Sequence, residues 1–152
     1  MSDAAQDQPA AGRFVDGEHR FPLRVYFEDT DLTGVVYHAN YLRYCERARS
    51  DMLACAGIDQ RAAFEAGEGA YAIRDLHIRY VAPARLGDAL LVVTRLTRLR
   101  AAAVDIHQRV MRSGSIMAEA MVEAAFVMPS GRPRRQPAEW AAAFEPLLWK
   151  GN

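Results

Sequence analysis

Between residues 71 and 128 the chain alternates apolar and polar side chains in four stretches, and the connections between them are very short. Leu76, Ile78 and Tyr80 alternate with Asp75, His77, Arg79 and Val81 until Pro83 interrupts, and residues 86–88, Leu-Gly-Asp, make a turn. Residues 89–99 are rich in Val and Leu, and 100–102 turn into 103–112, where Val104, Ile106, Gln108 and Val110 share a face. Ser113 and Gly114 supply the next tight turn, into a last stretch with Ile116, Ala118, Ala120, Val122, Ala124 and Phe126 on one side. Parallel neighbours need a crossover of about a dozen residues or more, so these strands must run antiparallel.

Upstream, Phe21, Leu23, Val25 and Phe27 alternate with Pro22, Arg24, Tyr26 and Glu28, which predicts a fifth strand with the proline near its start or on an edge. Residues 29–37 break the alternation around Gly34. A helix then opens at Asn40 or His38. Leu42, Cys45, Ala48, Met52, Leu53 and Ala56 recur at three and four, Arg43, Glu46, Arg47 and Arg49 fill the other face, and Gly57 ends it. Seventeen or so residues give roughly 25 Å of helix. The alanines of the last strand leave room for such a helix to lie across the sheet. The expected fold is α+β, a five-stranded antiparallel sheet wrapped around one long central helix. Residues 1–19 read as a flexible tail, 20–129 as the folded domain, and 130–152 as a Pro- and Arg-rich loop followed by a short helix carrying Trp140, Phe144 and Leu148.

At 152 residues, 51% of them hydrophobic, the chain has material for one core. Nineteen basic residues balance 19 acidic ones, so no global field favours nucleic acid or an anionic membrane surface. No apolar run approaches the length of a membrane span. Cys45 and Cys55, placed on one helix, stand roughly 15 Å apart, beyond disulfide reach, and lack zinc-site spacing. They read as reduced thiols of a cytoplasmic protein.

The chemistry-bearing stretch is the junction before the helix, with Glu28, Asp29, Asp31 and His38. Three readings compete. Acids before a helix interact favourably with its dipole and with turn amides. A D-x-D with a nearby His offers a start to a divalent metal site, but no second His or acidic cluster supports one, so no metal is expected. The third reading is hydrolysis: Asp31 supplies a base or nucleophile, and the unpaired N–H groups at the helix start stabilise an oxyanion. A thioester suits such a site because a thiolate departs without strong acid assistance, and no G-x-S-x-G elbow is present.

The run Y-F-E-D-T-D-x-x-G-V-V-Y-H-A-N-Y at 26–41 and the run I-R-Y-V-A-P-A-R-L-G-D at 78–88 resemble the YbgC-type acyl-CoA thioesterases of the hotdog fold, relatives of the 4-hydroxybenzoyl-CoA thioesterase group. The resemblance covers roughly residues 20–133. It implies that Asp31 is the catalytic carboxylate, as base or nucleophile, and that the backbone N–H of His38 binds the thioester oxygen while its imidazole helps to place substrate or water. It implies acyl-CoA as substrate, no cofactor beyond the CoA that the substrate carries, and homodimers assembling into homotetramers with sites at the dimer interface. Many relatives have Tyr where this chain has Phe27, so a phenol proposed to assist there is absent. Glu46 reads as a helix-face residue paired with Arg43, Arg49 or a neighbouring subunit. Tyr37 and Tyr41 are candidate substrate contacts. Arg98, Arg100, Arg132, Arg134 and Arg135 are candidates for the coenzyme phosphates, Arg98 and Arg134 first among them. Two alternatives stand beside hydrolysis: a hotdog hydratase or dehydratase acting on acyl thioesters, and a noncatalytic acyl-CoA- or protein-binding scaffold.

Overall fold

A computed structural model describes residues 3–151; the first two residues of the expected tail and the last residue of the expected C-terminal segment lie outside it. In chain order the elements are α1 (Asp3–Gln6), β1 (Arg13–Val15), β2 (Glu18–Arg24), α2 (Asn40–Cys55), α3 (Gln60–Glu65), β3 (Ala70–Tyr80), β4 (Ala89–Leu99), β5 (Ala103–Arg112), β6 (Ser115–Val127) and α4 (Ala138–Phe144). Single 3-10 turns at Phe27–Asp29 and Glu145–Leu147 follow β2 and α4.

The strands form one sheet of order β1-β2-β4-β5-β6-β3, antiparallel throughout. It has six strands where five were expected. The additional one is β1, whose Arg13, Phe14 and Val15 pair with Arg20, His19 and Glu18. Asp16 and Gly17 both take positive φ, 51° and 81°, which is the two-residue hairpin turn that suits strand twist. Residues 13–19 therefore belong to the sheet and not to the expected tail. Ser113 and Gly114, at φ 49° and 84°, build the same turn between β5 and β6, as their sequence predicts.

The first expected strand is displaced toward the N-terminus. β2 ends at Arg24, and Phe27, assigned by alternation to the buried face, is 83% exposed in the turn beyond it. Pro22 pairs with Leu91 but lies past the end of β1, so its missing N–H faces no partner strand.

Helix α2 packs against β2, β4 and β5. Its buried stripe is Tyr41, Tyr44, Cys45, Ala48, Arg49, Met52 and Leu53. Leu42 is exposed and Arg49 is buried, the reverse of the expected assignment. Arg49 is tolerated because its Nη1 donates to Gln108 Oε1 at 2.8 Å, while Gln108 Nε2 donates to the Cys45 carbonyl and to Thr94 Oγ1. Each buried polar group of that helix-to-sheet tie finds a partner. At the other end of the core, Trp140 and Phe144 of α4 are buried, with Trp140 packed edge-on against Phe126. Burying side chains of that size stabilises by about 1.5–3 kcal/mol each, which is what docks a seven-residue helix that would not persist alone.

Candidate active site

The chain between β2 and α2 is one interlocked loop, and Asp29 is its fastener. Only 2% exposed, Asp29 accepts the Tyr26 N–H on Oδ2 at 2.8 Å and Asn40 Nδ2 on Oδ1 at 2.7 Å, and its carbonyl accepts the Tyr37 N–H at 2.9 Å. Asn40 thus spends its side chain on Asp29. The helix cap falls to Ala39, which offers no side-chain acceptor, and neither Asn40 nor His38 caps it. Among the described residues, nothing accepts a hydrogen bond from the His38 N–H. The His38 carbonyl is held by the Tyr80 hydroxyl at 2.9 Å, and its imidazole lies against the rings of Tyr37 and Tyr80.

Asp31 sits in a tight turn that Gly34 completes with φ +82°. Its N–H donates to the Val35 carbonyl, its carbonyl accepts from Gly34, and Oδ1 accepts both the Thr33 N–H at 2.8 Å and the Thr33 hydroxyl at 2.6 Å. The Thr33 hydroxyl and amide, helped by the Val35 backbone and the charge of His38, hold the Asp31 carboxyl below its ordinary range. It is therefore ionised at neutral pH, with Oδ2 unpartnered among the described residues and open to solvent.

Residues 78–88 close over this loop. The Val36 N–H donates to the Ala84 carbonyl, Val35 bridges Arg85, Leu86 N–H reaches the Gly34 carbonyl, and Val25 and Asp88 join through backbone N–H and carbonyl. The two sequence runs that carry the family resemblance are thus two halves of one hydrogen-bonded unit.

The remaining predicted residues are placed unevenly. Tyr37 is 46% exposed beside His38, but Tyr41 is 3% exposed, with its hydroxyl oxygen accepting the Ala84 N–H at 3.0 Å. Tyr41 belongs to the core of its own protomer, in place of the expected substrate contact. Arg98 is exposed near the far end of β4, nine residues along the strand from Ala89, which adjoins the loop; that is roughly 30 Å. Arg134 donates to the Glu68 carbonyl at 2.7 Å beside Phe126, whose strand partner Tyr71 is again nine residues from Tyr80. Both arginines stand at the opposite end of the sheet from Asp31. Arg85, exposed and bridged to Val35, is a cation near the loop that is not among the expected phosphate ligands, as is Arg24, which donates to the Gly87 carbonyl; the place of Arg85 in the run A-P-A-R-L-G-D was the available signal. Glu46 pairs with Arg49 on the helix face.

A mostly apolar cavity of about 80 Å³ lies between α2 and the sheet, lined by Met52, Leu53, Tyr71, Leu96, Ile106 and Phe144. It includes neither Asp31 nor His38, which sit on the open surface among exposed Tyr26, Phe27, Leu32, Tyr80 and Leu86. Asp31 and the His38 N–H thus lie on the same loop between β2 and α2, and a carboxylate and a free amide are the two kinds of group that attack on a carbonyl requires.

The thioesterase-like superfamily model matches residues 25–145. The acyl-CoA thioesterase YbgC of Haemophilus influenzae is 38% identical over 134 residues, covering 88% of this chain and 98% of that protein. The acyl-CoA thioester hydrolase YbgC of Escherichia coli O6:H1 is 39% identical over 128 residues, covering 83% and 95%. Among solved structures, a 1,4-dihydroxy-2-naphthoyl-CoA thioesterase from Synechocystis superposes with a TM-score of 0.78 at 26% identity, covering 83% of this chain and 94% of that one.

Proposed function

Because the chain belongs to the thioesterase-like superfamily and, within it, to the YbgC-type acyl-CoA thioesterases, we propose that it hydrolyses acyl-CoA to free acid and CoA through Asp31 and the His38 amide. Asp31 Oδ2 either takes a proton from the attacking water or itself attacks the thioester carbonyl carbon to give a mixed anhydride that water then opens. In both routes the carbonyl oxygen gains negative charge at the His38 N–H, the C–S bond breaks with its electron pair on sulfur, and the thiolate is protonated from solvent. The His38 imidazole helps to place the substrate or the water. The reaction uses no cofactor beyond the CoA of the substrate.

The observation that carries this reading is the presence, on one hydrogen-bonded loop, of a carboxylate ionised at neutral pH with a free oxygen and an amide with no acceptor among the described residues. Tyr37 and Arg85 border the site and contribute to binding, Arg85 as a ligand for the coenzyme phosphates. The working form is a homodimer, assembling further to a tetramer, in which a neighbouring subunit covers the apolar collar and the open β3 edge. The protein works in the cytoplasm.

Asp31→Asn keeps the shape and removes the charge. In a thiol-release assay over short, long and aromatic acyl-CoAs, it lowers turnover about 10²–10⁴-fold with little change in folding. Parent-like rates would overturn the assignment.

A further inference from the structure

At the opposite end of α2 from Asp31, three groups from two elements meet: His19 Nε2 from β2, and Asp51 Oδ2 and Cys55 Sγ from the last turns of the helix. All three atoms lie within 4.8 Å of one another. His19 Nε2 is 2.7 Å from Asp51 Oδ2, and Cys55 Sγ is 3.4 Å from the same oxygen. We propose that this cluster is a divalent-metal site of the zinc type, structural in role and separate from the thioester chemistry.

The donor set decides the class of ion. Imidazole, carboxylate and thiolate together suit Zn²⁺ or Co²⁺, whereas Mg²⁺ and Ca²⁺ take oxygen ligands. Charge points the same way: one carboxylate and one thiolate neutralise a 2+ ion, so a partly buried site ends without net charge. On binding, Cys55 releases its proton to solvent. The Nε2 proton of His19 is replaced by the metal, and the ring carries its hydrogen on Nδ1 instead. Nδ1 has no partner now and gains none, so the exchange of tautomer creates no newly orphaned atom.

Geometry supports a prepared site. Asp51 and Cys55 stand at i and i+4, so one helix face presents both. His19 is fully buried, with the rings of Phe14 and Phe21 at 5.4 and 6.5 Å, and those rings fix the plane in which Nε2 points. The backbone of Gly12 closes over the cluster. Its N–H donates to Asp51 Oδ2, its carbonyl is 3.4 Å from Cys55 Sγ, and a Cβ there would fall 2.5–2.7 Å from Arg20 O, Asp51 Oδ2 and His19 Nε2. That carbonyl or a water supplies the fourth donor. Tetrahedral ligands at about 2.0–2.3 Å from zinc lie roughly 3.3–3.5 Å apart. Sulfur and carboxylate are already at that spacing, the histidine–carboxylate pair must open by roughly 0.6 Å, and the histidine and sulfur atoms lie within 4.8 Å of each other. A metal here fastens the β1–β2 hairpin to the end of α2.

The test uses the reduced full chain, freed of metal and titrated with Co²⁺ and then with Zn²⁺. One equivalent of Co²⁺ is expected to raise a near-ultraviolet sulfur-to-cobalt absorption that Zn²⁺ abolishes, and Zn²⁺ is expected to raise Tm. Cys55→Ser, at an exposed position that tolerates the change, removes the absorption and weakens Zn²⁺ binding by at least about tenfold, the loss that even outer-shell changes cause. Asp51→Asn weakens it likewise, and acyl-CoA turnover stays at the parental rate in Cys55→Ser. If no absorption appears, if it survives Cys55→Ser, or if the parent's Tm does not respond to Zn²⁺, the cluster is a hydrogen-bonded tie only and the proposal fails.

Discussion

Asp31 is held by Thr33, and under the proposed mechanism that contact sets the pH dependence of the reaction. The Thr33 hydroxyl and amide lower the Asp31 pKa, so if Asp31 is the catalytic group, activity is expected to fall only as pH drops through that depressed value. Thr33→Val removes the hydroxyl and leaves the amide. The acid limb of the kcat/KM profile is expected to move to higher pH, toward that of an ordinary carboxylate, with activity on the plateau largely retained. A limb that stays in place assigns it to another group. That Asp31 and His38 would share one loop before the helix was legible in the sequence, because a D-x-x-G turn running into a helix fixes the neighbourhood of its own residues. The burial of Tyr41 was not. A helix carrying Tyr41 and Tyr44 beside Leu42 and Cys45 admits more than one apolar stripe, and only the sheet decides which is covered. Asp29 was read merely as one acid among several, because nothing in its spacing says that its carboxylate will be sealed between Tyr26 and Asn40.

That sealing belongs to the element scale, since Asp29 joins the 3-10 turn after β2 to the first residue of α2. Asp29→Ala leaves the part-buried Tyr26 N–H and the buried Asn40 amide without acceptors. It is expected to lower stability by about 2–3 kcal/mol, read as a lower urea midpoint at unchanged slope. Because Asp29 sets the start of α2, the same variant should also lower turnover, with intact far-ultraviolet dichroism. Loss of stability with unaltered kcat would mean that the helix start is positioned by the 78–88 segment alone. The elements themselves were largely readable: β3 to β6 and α2 stand close to where periodicity put them, because half-burial imposes the pattern that the eye detects. The β1–β2 hairpin escaped because its strands are short and lie in a polar setting, although the Asp16-Gly17 pair between Val15 and Glu18 is a strong turn signal. β2 was displaced because alternation continues through Phe27 after the chain has left the sheet.

At the scale of the whole molecule, sequence could name arginines for the coenzyme but not the end of the sheet on which each would lie. Arg98 and Arg134 both stand roughly 30 Å of strand from the Asp31 loop, too far to serve the carboxylate of their own protomer. If they bind CoA phosphates, they do so at the site of a neighbouring subunit, which makes the oligomer a condition of catalysis. Subunit mixing separates the cases. One parent carries Asp31→Asn; the other carries Arg98→Ala with Arg134→Ala and works only at raised KM. In a hybrid dimer, the subunit with intact Asp31 receives intact arginines from its partner, so one of the two sites is whole. Random re-association makes about half of the dimers hybrid, and activity at low acyl-CoA should return to about a quarter of the unmodified enzyme. Should the mixture merely average its parents while Arg85→Ala by itself raises KM, the phosphates are held within one protomer by Arg85, beside Val35 and the loop that bears Asp31.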